Sequence, residues 1–438
     1  MKKLYTFKHG VHPAQHKAAT ENNKIIPITP KEGEIFTFSL QQHIGAAAVP
    51  IVEKGERVLA GQMIAEAPSP VSSPVHASIS GVIKDFAKDV IAPNGSTCDA
   101  ILLENDGLFE EVEYSGANED FLTIPRQEVL DRIQAAGVVG LGGAGFPTHV
   151  KLAPLGRHVD YVIINAAECE PYLTTDYRIM VEHPNYIKRG LQILSRIFSS
   201  CKIIIGIEGN KTEAVTKMKE ITKYEHRMTV MELAPKYPQG SEKQIIEACT
   251  GRQVPSGGLP LDVRCLVENV STLAAMERAV YRGRPLMRRV VTLSGGAFNQ
   301  PGNYEVRLGM NYRSMIDAAG GFAEEPAKII TGGPMMGAAM YSLDVPLTKT
   351  CGAVLAFTAR EAKMLQERPC IRCGRCANHC PMSLLPLELN SYAISGKIDE
   401  FIKLHGKDCI ECGTCSYVCP SKRHLTQSFR MVKRSILK

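Results

Sequence analysis

Two cysteine runs near the C-terminus leave this chain little freedom. Cys370-Ile-Arg-Cys373-Gly-Arg-Cys376-Ala-Asn-His-Cys380-Pro381 and Cys409-Ile-Glu-Cys412-Gly-Thr-Cys415-Ser-Tyr-Val-Cys419-Pro420 share one spacing, C-x2-C-x2-C-x3-C-P. Eight of the 14 cysteines lie in these runs. Three closely spaced thiolates wrap one face of an iron–sulfur cube, and the fourth ligand comes from the other run. One [4Fe-4S] cluster is therefore expected on Cys370, Cys373, Cys376 and Cys419, and a second on Cys409, Cys412, Cys415 and Cys380. Gly374 and Gly413 let the backbone approach the sulfides, and the prolines end each ligand loop. Zinc ribbons use C-x2-C pairs, but not a repeated four-cysteine run with a trailing proline. Between the runs, Leu384, Leu387, Leu389, Tyr392 and Ile394 recur at helical spacing and predict a helix-containing insert. Two adjacent clusters carry one electron at a time, so another group must supply or accept the electrons.

A chain of 438 residues has room for two to four domains at roughly 100–200 residues each. Hydrophobic residues at 44% and charged residues at 22% exclude a coiled coil, a collagen-like chain and a disordered one. There is no Trp and aromatics are 6%, so the cores must be aliphatic. The dispersed net charge of +6 gives no reason to expect nucleic acid as a partner. The longest apolar runs, 161–164 and 203–207, are strand length, far below the about 20 residues of a spanning helix. The N-terminal MKKLYTFKHGVHPAQHK has no apolar stretch behind it and is not expected to be a signal peptide. Lys2 and Lys3 are read as a solvated start.

Residues 137–151 read GVVGLGGAGFPTHVK. Dense glycine frees backbone N–H groups to face a phosphate or a flat ring. The run lacks the G-K-[ST] ending of a P-loop. No strand precedes it, so it is not a dinucleotide fingerprint; Pro125–Gly137 reads instead as an amphipathic helix. Tyr161–Asn165 reads as a buried strand that opens onto Glu168 and Glu170, where open α/β sheets bind ligands. A helix over Asp176–Ser199, a strand at Lys202–Gly206, a helix at Lys211–Lys223 and a strand at Met228–Leu233 follow. The loop Lys236–Glu242 then opens a further helix. This alternation predicts a mostly parallel sheet.

Two further modules flank this unit. Residues 35–105 resemble the biotinyl/lipoyl carrier fold, with G-x-x-V-x-x-G-Q near Gly55–Ala65 and P-V-x-A near Pro74. The carrier lysine is absent, because the hairpin tip is Ser69-Pro70-Val71-Ser72-Ser73, so the module is read as structural or docking. Residues 285–340 resemble the soluble-ligand-binding (SLBB) β-grasp module, with a Pro301-Gly302 turn between two strands. Met335 and Met336 after it are read as packing. Cys98, Cys201, Cys249, Cys265 and Cys351 show no ligand spacing. The basic segment 422–438 alternates charge with apolar residues. It is read equally as a surface for membrane or partner and as a plain solvated helix.

GLGGAGFPTHVK, NAAECEP, YPQGSEK and ENVSTL, in that order, resemble the flavin- and NADH-binding subunit of respiratory complex I over about residues 125–350. With the flanking modules, the whole chain is similar to the C subunits of Rnf complexes, the ion-translocating ferredoxin:NAD oxidoreductases of bacteria. The resemblance implies a noncovalent FMN loop at Gly140, Gly142, Gly143, Ala144, Gly145 and Phe146, with Phe146 stacking on the nucleotide. It puts Lys151 at the flavin phosphate and Asn165, Glu168 and Glu170 beside the flavin and nicotinamide. Gly240 and Glu242 form a second acidic loop, and Asn269 and Thr272 stand on the phosphate side. Glu170 and Glu242 are the expected catalytic acids. Leu141, Ala167, Cys169 and Ser241 depart from the complex I pattern, which bears on nucleotide preference more than on the flavin. The cofactor would carry the chemistry, and Cys169 is not read as a nucleophile.

The expected fold is multidomain, α/β and α+β. It comprises a barrel-sandwich hybrid (1–110), an α/β FMN/NAD(H) domain (120–280), an SLBB-like β-grasp module (285–350), a dicluster ferredoxin domain (360–425) and a basic tail (426–438). The resemblance implies hydride exchange between NAD(H) and FMN and single-electron exchange with two [4Fe-4S] clusters. It implies integral membrane and iron–sulfur partner subunits, ferredoxin as an indirect partner, and Na+ or H+ transport by those subunits. It also implies a peripheral place on the cytoplasmic side of the bacterial cell membrane. Three alternatives share parts of the pattern: a diaphorase or NADH dehydrogenase subunit, a cobalamin reductase, and a non-catalytic electron wire.

Overall fold

The structure, a computed structural model, describes residues 4–93, 95–114, 123–154, 156–363 and 365–436. Lys2 and Lys3, residues 120–122 at the head of the expected flavin domain, and the last two residues of the basic tail lie outside these.

Period-2 alternation builds the N-terminal module. Its strand Ile35–Ser39 turns Phe36 and Phe38 inward. It pairs with Thr97–Asn105, which leads to Gly81–Ile91 and Arg57–Val58 in one antiparallel sheet. Val49–Pro50, Met63–Glu66 and Val75–His76 form a second sheet. Phe36, Phe38, Ile64, Ile79, Ile83, Ile101 and Leu103 are fully buried between them, each contributing about 1.5–3 kcal/mol by leaving water. The first residues of the chain also reach beyond these two sheets. Tyr5 bridges Leu233 and Val11 bridges Tyr237, and Ile25–Pro27 adds in parallel to the strand Gly302–Arg307. The cause is apolar burial: Val11 packs with Tyr237 and Cys412, not with the barrel.

The flavin-type domain is a four-stranded parallel sheet in the order Met228–Leu233, Lys202–Glu208, Tyr161–Ala166, Cys265–Asn269. Its strands are apolar on both sides, as a sheet covered on both faces requires. Val162 and Ile164 enter the main core. Ile163 enters a smaller one with Ile204, Ile245 and Val267. The first strand in sequence has the second on one side and the last on the other. The crevice between Tyr161–Ala166 and Cys265–Asn269 is thus the topological switch point. The single helix expected over Asp176–Ser199 is two, Thr175–Glu182 and Pro184–Ile197. Pro184 has no N–H to continue the first helix and is well placed to start the second.

The β-grasp region belongs to a six-stranded sheet in the order Ile25–Pro27, Gly302–Arg307, Arg288–Ser294, Ala353–Phe357, Lys328–Thr331, Ala338–Met340. Ala353–Phe357 lies in the middle of the sheet, beyond the boundary expected at 350. All five of its residues are buried, so it carries no alternation to mark it.

In the cysteine-rich region a short helix carries the third cysteine of each triplet, Arg375–Asn378 and Thr414–Tyr417. The insert holds two helices, Pro386–Ile394 and Ile398–Lys403. The basic tail is not a separate element. Helix Leu425–Ile436 buries Leu425, Phe429 and Val432 against Leu389 and Phe401. Its apolar stripe is therefore already covered by its own domain. Lys433 Nζ donates to the Cys409 carbonyl at 2.7 Å and pairs with Glu411 at 2.7 Å. Among the described residues, no helix is long and apolar enough to cross a membrane.

Candidate functional site

The eight run cysteines separate into two cages, and each cage draws on both runs. Cys409, Cys412, Cys415 and Cys380 line one. Cys370, Cys373, Cys376 and Cys419 line the other. Among the described residues, no three His, Cys, Asp or Glu side chains close on a single-ion position. A quartet set around a space suits a cube of iron and sulfide better than one tetrahedral zinc, whose sulfurs stand at about 2.3 Å. Leu384, Pro386, Leu389 and Phe429 add apolar walls to the first cage. In the second, Cys370 and Cys373 are exposed.

The glycine loop lies at the switch point. A Cβ on Gly142 would stand 2.7–2.8 Å from the Asn269 side chain, so only glycine fits this approach. Asn269 caps the helix Val270–Arg282 by accepting from Ser271 N at 2.9 Å. Leu141 N donates to Thr272 Oγ1 at 3.0 Å. Arg289, buried, donates through Nη2 to the Leu141 carbonyl at 3.0 Å. Leu141 itself sits in the core, which accounts for an apolar residue where the complex I pattern has arginine. Gly142, Gly143 and Ala144 are exposed, and a Cβ at Gly143 would meet nothing within 4 Å. Phe146 is half-buried, and its carbonyl accepts from Gly140 N at 2.9 Å. An open glycine loop beside the N-terminus of a 13-residue helix fits the phosphate end of a flavin nucleotide.

Lys151 reaches this crevice and pairs with Glu242 at 3.1 Å. Glu268 stands one residue before Asn269, buried, with Oε1 lacking any hydrogen-bond partner. Burial pushes its carboxyl up to about 7; the Lys151 charge opposes this and the Glu242 charge adds to it. Lys151 is raised despite its burial, by the charges of Glu268 and Glu242. Asn165 ties the sheet end to the second acidic loop, its Nδ2 donating to Gly240 O at 2.6 Å.

The acids after the first strand both find partners within the protein. Glu168 caps the helix Thr175–Glu182, accepting from Thr175 Oγ1 at 3.0 Å and Asp176 N at 2.9 Å. Its backbone carbonyl accepts from buried Lys17 Nζ. Glu170 accepts from Met335 N at 3.1 Å and Met336 N at 2.9 Å. Its carboxyl is pushed up to about 7 by burial, against those two N–H donors. Both acids therefore hold the frame of the crevice. Burial pushes the Cys169 thiol up, consistent with an inert residue.

The crevice and the inner cage touch. Tyr237 is buried, and its hydroxyl donates to the Cys412 carbonyl at 2.7 Å. A Cβ on Gly413 would lie 2.7 Å from the Met335 carbonyl. Gln244 Nε2 donates to Pro381 O at 3.2 Å. The barrel hairpin docks on the other side of the loop. Lys349, fully buried, donates to Ser73 Oγ at 3.1 Å, Pro74 O at 2.7 Å and Gly137 O at 2.8 Å.

Sequence reading overlooked Lys17, Asp176, Tyr237, Glu268, Arg289 and Lys349. Tyr237 and Glu268 stand inside YPQGSEK and ENVSTL, where a hydroxyl and an acid are visible but not their targets. Asp176 sits in the crevice wall. It accepts from Asn269 Nδ2 at 2.8 Å, and burial and the Glu168 charge push it up to about 6.

Residues 5–108 match the RnfC barrel sandwich hybrid domain and 133–278 the Nuo51 FMN-binding domain. Residues 290–339 match the SLBB domain and 369–423 the 4Fe-4S dicluster domain. Glycine crevice, paired cages and this domain series define a flavin and iron–sulfur electron-transfer protein. The C subunit of the proton-translocating ferredoxin:NAD(+) oxidoreductase complex of Clostridium ljungdahlii is 46% identical over 388 residues, 88% of this chain and 84% of its own length. The C subunit of the Na(+)-translocating ferredoxin:NAD(+) oxidoreductase complex of Acetobacterium woodii is 41% identical over 437 residues, 99% of this chain and 97% of its own. The chain belongs to this family, the C subunits of ion-translocating ferredoxin:NAD(+) oxidoreductase complexes. It spans about half of the C subunit of the ion-translocating oxidoreductase complex of Vibrio cholerae, with 40% identity over 93% of this chain and 52% of that protein. A chain in the crystal structure of an NAD+-reducing [NiFe]-hydrogenase in the H2-reduced state shares the fold, with a TM-score of 0.50 and 19% identity over 74% of this chain and 63% of that one.

Proposed function

We propose that this chain exchanges a hydride between NAD(H) and FMN in the switch-point crevice and relays single electrons through two [4Fe-4S] clusters to partner subunits. FMN supplies the conversion between a two-electron hydride and single electrons. Gly140, Gly142, Gly143, Ala144 and Gly145, with Asn269 and Thr272, bind its phosphate end. Lys151 balances charge there, held between Glu242 and Glu268. Phe146 is the ring available for stacking. Glu242, half-exposed on the second acidic loop, is the acid facing incoming nucleotide. Asn165, Glu168, Gly240 and Glu170 fix the walls, Glu170 as a positioning residue. Cys380, Cys409, Cys412 and Cys415 hold the inner cluster, and Cys370, Cys373, Cys376 and Cys419 the outer one.

The observation that carries this reading is the contact of crevice and inner cage through Tyr237 and Cys412. An electron leaving the crevice meets the inner cage first, and the cage with exposed cysteines opens toward a partner. Ion transport belongs to the partner subunits, with this chain peripheral to them on the cytoplasmic side. A two-electron step falling by ~100 mV releases about 4.6 kcal/mol. Moving one charge against ~150 mV costs about 3.5 kcal/mol, so such a step moves roughly one ion.

The test is anaerobic. The full chain is reconstituted with iron, sulfide and FMN and titrated with NADH, and with NADPH in parallel, while flavin absorbance and cluster EPR are followed. Flavin bleaching followed by two cluster signals is expected. A chain with both clusters that binds no FMN, or whose bound FMN stays oxidised under NADH, defeats the reading in favour of an electron wire.

A further inference from the structure

The helix Val270–Arg282 begins at the flavin crevice, and its 13 residues carry the chain about 20 Å away. At that far end lies a second, polar cavity of about 140 Å³, roughly ten times the space one buried water needs. Among the described residues its lining includes Arg278, Arg282, Arg284 and Arg288 with Tyr186, and no acidic residue. Arg282 and Arg278 stand over the Tyr186 ring at 4.7 and 5.7 Å. Among the described residues, the carboxylates behind the wall are fewer than the arginines. Glu305 is shared by Arg278 and Arg288, at 2.9 Å each. Buried Glu277 is shared by Arg189 at 3.0 Å and Arg282 at 3.1 Å. Glu111 pairs with Arg284 at 2.9 Å. Arg307, nearby, is lowered to about 10 by burial and by the Arg288 charge. His183, also beside the cavity wall, is lowered by burial and by Arg278.

Each shared carboxylate leaves guanidinium N–H groups for another acceptor, and the half-exposed arginines keep the cavity open to solvent. Converging guanidinium forks match tetrahedral oxyanions two bonds at a time. A single phosphate would leave part of so large a cavity unfilled.

We propose that this cavity is a binding site for a pyrophosphate group, separate from the flavin crevice. The group is either free pyrophosphate or the diphosphate of a nucleotide. The site does not depend on the redox assignment, and its failure leaves that assignment untouched.

The experiment is calorimetry on the full, cluster-loaded, FMN-saturated chain at fixed ionic strength. It uses inorganic pyrophosphate in one arm and ADP in the other, with the chain compared against Arg282→Gln/Arg284→Gln and Arg313→Gln. Arg313 is an exposed arginine paired with Asp344 elsewhere. Saturable one-to-one binding, weakened at least about tenfold in the double variant and unchanged in Arg313→Gln, is expected. Pyrophosphate binding without ADP binding at the cavity assigns the free ion; ADP binding at least as tight, and lost with Arg282 and Arg284, assigns the nucleotide, whereas binding undiminished in the double variant belongs to the flavin crevice and overturns the site. No saturable heat in either arm, or equal weakening in Arg313→Gln, overturns the site. Should the double variant lose its clusters, phenylglyoxal labelling of the unmodified protein serves instead. Pyrophosphate should then protect Arg282 and Arg284 selectively in peptide mass spectra, and absent protection overturns the proposal.

Discussion

Glu268→Gln isolates the electrostatic cost of the crevice. The change keeps the side chain's shape and removes its ionisation. In the folded chain burial raises this carboxyl from 4.5 to about 7, a difference worth about 3 kcal/mol. The folded state therefore binds the proton more tightly than the unfolded one, and stability falls as pH rises from about 4.5 through about 7. Above that the full cost is present in the native protein and absent in the variant. The variant should gain about 1 kcal/mol at pH 5 and about 3 kcal/mol at pH 8. Urea unfolding of the flavin-free chain, followed by far-UV circular dichroism because there is no Trp, reads the difference in midpoint at matched slope. A gain that does not grow between pH 5 and pH 8 would refute the argument, because it would mean that Glu268 is not neutral at low pH or not buried at high pH.

Other outcomes follow from the same geometry. Gly142→Ala drives a Cβ into Asn269 and should weaken FMN binding at least about tenfold while disturbing a cap worth about 1 kcal/mol; fluorescence quenching of FMN measures the first. Cys380→Ser and Cys409→Ser should abolish the same EPR signal, and Cys419→Ser and Cys370→Ser the other; loss sorted by run instead of by cage contradicts the crossed ligation. Tyr237→Phe removes the donor to the Cys412 carbonyl and should lower the potential of the inner cluster only, as read by an EPR redox titration; an equal shift of both clusters would show a general disturbance. Lys349→Met leaves the Ser73, Pro74 and Gly137 oxygens without their shared donor and should loosen the barrel hairpin, seen as faster amide exchange over residues 69–76.

Where chemistry dictates spacing, the sequence was readable. Crossed cysteine quartets, the parallel sheet and the glycine loop at its carboxyl end all follow from local rules of ligand reach and periodicity. What stayed hidden is set by distant partners. Glu170 looks like a free acid beside a strand, yet its acceptors are satisfied by Met335 and Met336 amides 165 and 166 residues away. Residues 4–28 carry too few apolar positions to announce a sheet edge, and Ala353–Phe357 is buried on every side and so has no period. The tail's basic charge hid an apolar stripe that its own insert covers. Pro184 was visible, but the apolar periodicity running through it suggested one helix.

The strap formed by residues 4–28 sets an order of assembly. Tyr5 waits for Leu233 and Ile25 for Asn303. Gly10 N waits for the His379 carbonyl at 3.1 Å, one residue before a cage cysteine. The strap is thus among the last segments to be placed, because closing loops of this length precedes any gain from their contacts. Until the second half of the chain has folded, the strap lacks its partners at Asn303 and His379. Closure of the strap over Tyr237 and His379 then records, in one act, that the flavin sheet and the inner cage have both been built.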